Sequence, residues 1–296
     1  MERLPAPGLP DWLETQIPFE RYLVEVGDGL RIHVMEQGLG RPVIMFHGNP
    51  TWGYLYRKVA AELADEPFRL IMPDLIGLGF SDRCEPDDHT LENHSRWMES
   101  LVDQLELERP IVVVQDWGGP IGLGAFSKFP GLIAGLVVMN TGIGPPRPGF
   151  KPTAFHRFFS SGLGAWTTKN LGFPQRSLGF AQGDKSSMRG EAARAYRYPL
   201  RRRFGNDAVT ALVRMVPDTM DHPTVEPMRD VQAFVETYHG PAAIVWGDRD
   251  PVLGRLRNRV SRMLPQAPVT STDAGHFLQE EVPAEIAYAI RQVSRS

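Results

Sequence analysis

The chain has 296 residues, 42% hydrophobic and only 23% charged, enough apolar material to bury a large core and too little charge for a disordered chain. A net charge of −3 and a pI near 6.3 offer no electrostatic footprint for nucleic acid or an anionic membrane. The one cysteine, Cys84, excludes an internal disulfide and a cysteine-built metal cluster, and fits a reducing, cytoplasmic setting.

Residues 1–20 carry prolines and acids but no basic segment followed by an apolar one, and no later run is long enough to span a bilayer, so neither a secretory leader nor a membrane anchor is predicted. Tyr22-Leu23-Val24-Glu25-Val26 and Arg31-Ile32-His33-Val34-Met35 alternate on either side of Gly27-Asp28-Gly29, the pattern of an antiparallel hairpin. Continuous apolar runs follow at Val43 to Phe46, Arg69 to Met72, Ile111 to Val114, Leu136 to Met139 and Ala242 to Trp246, with helical stretches between most of them. Such alternation predicts an α/β architecture with a mostly parallel sheet covered on both faces.

Between Asn140 and about Glu236 that rhythm stops. The segment carries Phe155, Phe158, Phe159, Trp166, Phe173, Phe180, Tyr196, Tyr198 and Phe204 and is too long for a plain loop. It is predicted to be an inserted helical cap over the strand ends, where open α/β sheets bind ligands. The expected division is a main domain of residues 1–140 and 237–296 with a cap of residues 141–236. Most of the aromatics are expected to pack the cap on the main domain, and roughly a third at most to reach a pocket. The basic cluster Arg201-Arg202-Arg203 reads as a solvated helix face.

The most informative peptide is Val114-Gln115-Asp116-Trp117-Gly118-Gly119. It sits between a β-branched run and a helical one, the setting of the strand-turn-helix elbow that pushes a nucleophile out over a sheet. Gly118 and Gly119 give the turn room, while Val114 stands where a glycine is usual. The elbow residue is Asp116, an ionised carboxylate that can attack carbon directly. Three other polar groups fall at predicted carboxyl ends of strands: Asn49 in His47-Gly48-Asn49-Pro50, Asp250 in Gly247-Asp248-Arg249-Asp250, and His276 in Ala274-Gly275-His276-Phe277. The order nucleophile, acid, histidine has the sense of α/β-hydrolase triads. Alone, each aspartate could cap a helix and the histidine could be structural; together they point to one site.

On these motifs, with Asp74 to Asp82, Ala195-Tyr196-Arg197-Tyr198-Pro199 and Gly275 to Glu280, the chain resembles the haloalkane dehalogenases over nearly its whole length. The resemblance implies an α/β-hydrolase fold with a mostly parallel eight-stranded sheet, flanking helices and a helical cap. It implies Asp116 as nucleophile, His276 as base and Asp250 as the acid that orients it, the Gly-x-x-Asp spacing favouring Asp250 over Asp248. It implies Trp117 and Asn49 as halide donors, with Trp166 in the place of an alternative cap tryptophan and Pro217 as a proline bordering the halide. The subfamily with its acid after the sixth strand would need a carboxylate where Asn140 stands, so the resemblance points to the subfamily with an Asp-His-Asp triad and an Asn-Trp halide pair, in which self-association is common. The implied partners are a small apolar halogenated substrate and halide ion.

The residue types suit that chemistry. Displacing halide from a saturated carbon takes an anion and donors for the departing ion. A carboxylate with an ordinary pKa of about 3.9 is ionised at neutral pH without help from a base. Water would then hydrolyse the alkyl ester with His276 taking its proton, giving a primary alcohol, halide and a proton, with no metal or organic cofactor. Epoxide hydrolysis is the competing reaction; it would need two cap tyrosines as acids, and Tyr196 and Tyr198 are the candidates. A haloacetate dehalogenase would place arginines after the nucleophile, where Trp117 and Pro120 stand. A luciferase that shares the Asp-Trp and His-Gly-Asn pattern goes with the strand-six acid that Asn140 replaces. A non-catalytic small-molecule receptor on the same fold is the reading from a different class.

Overall fold

The computed structural model describes residues 1–147, 149–150, 154–201 and 205–295; Arg202, Arg203 and Phe204 lie outside them. In chain order the strands are β1 (Leu4–Pro5), β2 (Glu20–Glu25), β3 (Arg31–Gln37), β4 (Arg41–Phe46), β5 (Phe68–Pro73), β6 (Ile111–Gln115), β7 (Gly135–Met139), β8 (Ala242–Gly247) and β9 (Val269–Thr272). The α-helices are α1 (Asp11–Glu14), α2 (Arg57–Glu62), α3 (Leu91–Gln104), α4 (Gly118–Phe126), α5 (Ala154–Phe159), α6 (Gly162–Leu171), α7 (Gly190–Arg197), α8 (Asp207–Arg214), α9 (Val225–Glu236), α10 (Arg257–Met263) and α11 (Pro283–Arg295).

The strands form one sheet in the order β1-β2-β3-β5-β4-β6-β7-β8-β9. β1, β2, β3 and β5 pair antiparallel; from β5 through β4 to β9 every pairing is parallel. The sheet has nine strands where eight were expected, because Leu4 and Pro5 add a two-residue edge against Leu23 and Tyr22. Proline lacks the N–H for a central ladder, so such a strand belongs at an edge.

The unbroken apolar runs serve two cores at once. Successive side chains alternate faces, so Val112 and Val114 of β6 join Phe46, Val138 and Ile244 on one side, while Ile111 and Val113 join Met45, Val137 and Val245 on the other. α3, α4 and α9 cover the first face through Trp97, Phe126 and Val231, and α2 and α11 the second through Val59 and Ile290. The long segment after β7 supplies α5 to α9. Its last helix, α9, packs Met228, Val231 and Val235 into the same core as Ile121 and Phe126 of α4, so this stretch covers the sheet face, whereas α5 to α8 lie nearer the strand ends.

β4 and β6 are neighbours, with Phe46 level with Val114, and the chain leaves them in loops on the same rim. That rim lies where the strand order reverses, the position at which open α/β sheets bind ligands. β7, β8 and β9 deliver Asn140, Asp250 and His276 to the same edge.

Candidate active site

Asp116 follows β6 with a φ of 49°, a left-handed conformation that strains an ordinary residue and persists only where its surroundings enforce it. Here its amide donates to the Asn140 carbonyl at 3.1 Å, and its carbonyl accepts from Gly119 N at 3.0 Å and from Thr141 Oγ1 at 2.6 Å. Gly118 is required because a Cβ there would run into the Phe46 carbonyl, and a Cβ on Gly48 would overlap the Asp116 side chain. Val114 needs no such economy: it points into the core beneath α4. The bulky residue in place of the usual glycine therefore leaves the turn intact.

The carboxylate is held from both sides. Asn49 N donates to Asp116 Oδ1 at 2.8 Å, and His276 Nε2 lies 3.5 Å from Oδ2. His276 is almost wholly buried; its amide donates to the Ala181 carbonyl at 2.8 Å and its carbonyl accepts from Gln115 Nε2 at 3.1 Å. The residue before Asp116 thus positions the histidine loop. His276 Nδ1 is 2.9 Å from Asp250 Oδ2, and Asp250 also accepts from Val252 N at 2.7 Å and Leu253 N at 3.1 Å.

Asp248, the other candidate acid, is exposed and paired with Arg257 at 2.7 Å. Asn140 is the residue whose role the sequence did not reveal. It donates to Asp250 Oδ2 at 2.8 Å and to the Gly247 carbonyl at 2.9 Å, and accepts from Gly247 N at 2.8 Å. An amide thus ties the ends of β7 and β8 together and fixes the Asp250 carboxylate. Its place after β7 was the only signal in the sequence.

Burial alone would push the His276 pKa down, but the Asp250 and Asp116 carboxylates outweigh it and hold the imidazole up to about 10. Burial would likewise raise Asp250, yet His276, Asn140 and the Val252 amide keep its carboxyl below the usual range. The two carboxyl groups on either side of the ring thus favour its protonated form.

Trp117, buried at the start of α4, has an indole N–H that meets no acceptor among the described residues. The Asn49 amide gives one hydrogen to the Val209 carbonyl of α8 at 2.9 Å and keeps a second, while its Oδ1 is buried without a partner. Pro217 is buried just beyond α8. Trp166 is not brought to this site: it is 54% exposed beside Leu163, which is 62% exposed. Residues three apart share a helix face, and on α6 the buried face belongs to Gly164 and Thr168. His156 of α5, unforeseen from sequence, lies within electrostatic reach of both Asp116 and Arg255, and burial keeps its pKa low.

Of the tyrosines that an epoxide reaction would use, Tyr196 is buried and donates to Glu280 Oε1 at 2.6 Å. Arg57 Nη2 meets Glu280 Oε2 at 3.0 Å, and Trp52 Nε1 donates to the Ala195 carbonyl at 3.2 Å. α7 is clamped to the main sheet through these contacts. Tyr198 packs edge-on to Trp12. A groove of about 730 Å³ lined by His239, Gln266, Tyr288 and Arg291 lies at the amino ends of β8 and β9, away from the catalytic groups.

Fold and site together define an α/β hydrolase with an aspartate at the nucleophile elbow. The family model for the alpha/beta hydrolase fold matches residues 41–283. A haloalkane dehalogenase of Mycobacterium marinum is 32% identical over 283 residues, covering 92% of this chain and 93% of that one. A cis-3-alkyl-4-alkyloxetan-2-one decarboxylase of Shewanella oneidensis is 30% identical, covering 94% and 89%. The fold matches the tetrameric structure of haloalkane dehalogenase DpaA from Paraglaciecola agarilytica with a TM-score of 0.80 at 24% identity, covering 98% of each chain. The chain belongs to the haloalkane dehalogenase family of α/β hydrolases, hydrolases acting on carbon–halide bonds. Among the described residues no helix is long and apolar enough to cross a membrane.

Proposed function

We propose that this protein hydrolyses small apolar haloalkanes to a primary alcohol, halide and a proton through an alkyl ester on Asp116, and that it falls in the subfamily with an Asp116-His276-Asp250 triad and an Asn49-Trp117 halide pair. The observation that carries this reading is a carboxylate at the elbow, with Oδ1 held by Asn49 N and Oδ2 facing a histidine that is itself tied to Asp250. Asp116 Oδ2 attacks the carbon bearing halogen as the carbon–halogen bond breaks, and the halide leaves toward Trp117 Nε1 and the second Asn49 Nδ2 hydrogen, with Pro217 at its border. Donors fixed in a water-poor site stabilise such a developing anion far more than solvent would.

Esterification removes the Asp116 charge, one of the two that hold a proton on His276. The imidazole pKa therefore falls when a base is needed. Neutral His276 then takes a proton from water as its oxygen attacks the ester carbonyl, and Asp250 stabilises the imidazolium that results. The Asn49 amide, already on Oδ1, receives the oxyanion. The cap is proposed to lie within residues 141–236, with α8 carrying Val209 to Asn49, and homo-oligomers are part of the proposal.

The Shewanella relative supports a second reading, decarboxylation of a dialkyl β-lactone at the same site. Halide and proton release from a panel of brominated alkanes, run beside styrene oxide and a cis-3,4-dialkyl β-lactone assayed for carbon dioxide and alkene, separates the reactions. Halide release is expected; turnover confined to the lactone or the epoxide would replace the dehalogenation reading.

A further inference from the structure

The whole-chain charge conceals a sharp division. Residues 147–203 carry twelve Lys or Arg against two Asp or Glu, and the remaining residues carry 20 against 33. The exposed large apolar side chains concentrate in the same stretch: Phe158, Leu163, Trp166, Leu171, Phe173 and Phe180.

Several of these form one surface. Leu163, Trp166 and Lys169 recur every three residues along α6, the first two more than half exposed. Leu171 and Phe173 follow, on either side of Gly172, which ends the helix with a φ of 65°. Phe158 meets Phe159 edge-on at 5.0 Å, and Phe159 stacks on Phe173 at 5.4 Å, so the α5 and α6 ends are continuous. Arg176 lies against Gly172, within 3.8 Å of where a Cβ would sit, and Arg157 precedes Phe158. Arg157 and Arg176 are exposed and make no ion pair with a carboxylate among the described residues, whereas Lys169 pairs with Asp207 at 3.0 Å.

We propose that this basic, aromatic face of the α5–α6 region docks on an anionic lipid bilayer. Aromatic and leucine side chains beside unpaired arginines are the composition of a surface that lies in the headgroup layer rather than crossing it. The cations meet lipid phosphates while the apolar tips enter the acyl boundary. An isologous contact with a second copy would set like charge against like charge, which disfavours self-pairing through this face. The acidic remainder of the molecule points the same way, because it is repelled from the bilayer and orients the chain with this face inward. The docking departs from what the net charge of −3 led us to expect, since a bilayer meets one face and not the average.

Flotation of the full chain with vesicles of phosphatidylcholine alone, or with about one third phosphatidylglycerol, tests the assignment. The expected result is at least tenfold more bound protein on the anionic vesicles at ~0.1 M salt, lost at ~1 M where the screening length shrinks from ~10 to ~3 Å. Arg157→Glu with Arg176→Glu, and separately Leu163→Ser with Leu171→Ser, should each cut binding on the order of tenfold while circular dichroism and turnover of a short soluble bromoalkane stay at the parent's level. No preference for anionic vesicles, or variants that bind like the parent, would overturn it. So would a leucine pair that leaves vesicle binding at the parent's level but dissociates an oligomer in sedimentation velocity, which would make this face an interface between copies.

Discussion

The rim that carries Asp116, Asp250 and His276 and the helices α5 and α6 above it are built on opposite terms. On the rim Asp116, Asp250 and the His276 loop are each held by a residue from a different strand end: Asn140 from β7 holds Asp250, Gln115 from β6 holds the His276 loop, and Asn49 from β4 holds Asp116. Over α5 and α6, large apolar groups stand in solvent and Arg157 makes no ion pair among the described residues. The first region is over-determined, as a constellation must be to keep Asp116 in its left-handed conformation. The second is free to meet something else. Substitutions on the rim should therefore change chemistry, and those on the outer face of α6 should leave the chemistry of a small substrate alone.

The largest effect is expected from His276→Phe. The nucleophile and the halide donors stay in place, so the first step is expected to survive and the second to be lost. The variant should release about one halide per site and then stop, with the alkyl adduct visible as an intact-mass increase. Asp250→Asn and Asn140→Leu should accumulate the same ester more weakly, since both misorient the base rather than remove it; Asp248→Asn should turn over like the parent. Adduct in Asp248→Asn but not in Asp250→Asn would reverse the assignment of the acid.

The two tryptophans sharpen the contrast between regions. Losing one preorganised donor costs roughly 10²–10³-fold in rate in comparable sites, so Trp117→Phe, and likewise Asn49→Ala, should slow debromination by about that factor in kcat. Trp166→Phe should stay within about twofold. A larger loss from Trp166→Phe than from Trp117→Phe would move the halide donor into the cap.

A smaller effect concerns stability against pH. His276 is raised in the folded state from an ordinary value near 6.5 to about 10. A raised pKa contributes stability that is fully present below the unfolded value and is lost as pH rises through the folded one. The parent's Tm should fall across about pH 6.5 to 10 on this account, and the slope should flatten in His276→Phe. An equal slope in both proteins would mean that the imidazole is not held charged between the two carboxylates.

The parallel strands were legible because burial on both faces leaves runs such as Ile111-Val112-Val113-Val114 that nothing else explains. β1 and β9 were not. Leu4-Pro5 is too short to show a period, and Val269-Thr270-Ser271-Thr272 is a half-exposed edge whose polar residues mask the pattern. The positions of Asp116 and Asp250 could be read from sequence because each follows a legible apolar run and topology gathers strand ends, and His276 from its Ala274-Gly275-His276-Phe277 peptide. What lay beyond reach were contacts between residues far apart in the chain: Asn140 on Asp250, Val209 on Asn49, Ala181 on His276. The face on which Trp166 lies was equally hidden, because Gly162-Leu163-Gly164-Ala165-Trp166-Thr167-Thr168 has no clear apolar stripe to assign it inward or outward.

The covalent role of Asp116 is the centre of the proposal, and a single turnover in water labelled with heavy oxygen reads it directly. With enzyme in excess over a bromoalkane, the label should appear in the peptide carrying Asp116 while the first alcohol formed is unlabelled, because the alcohol oxygen comes from the carboxylate and water restores it. Label in the alcohol from the first turnover, with none in Asp116, would mean that water attacked the substrate itself and would contradict the alkyl ester.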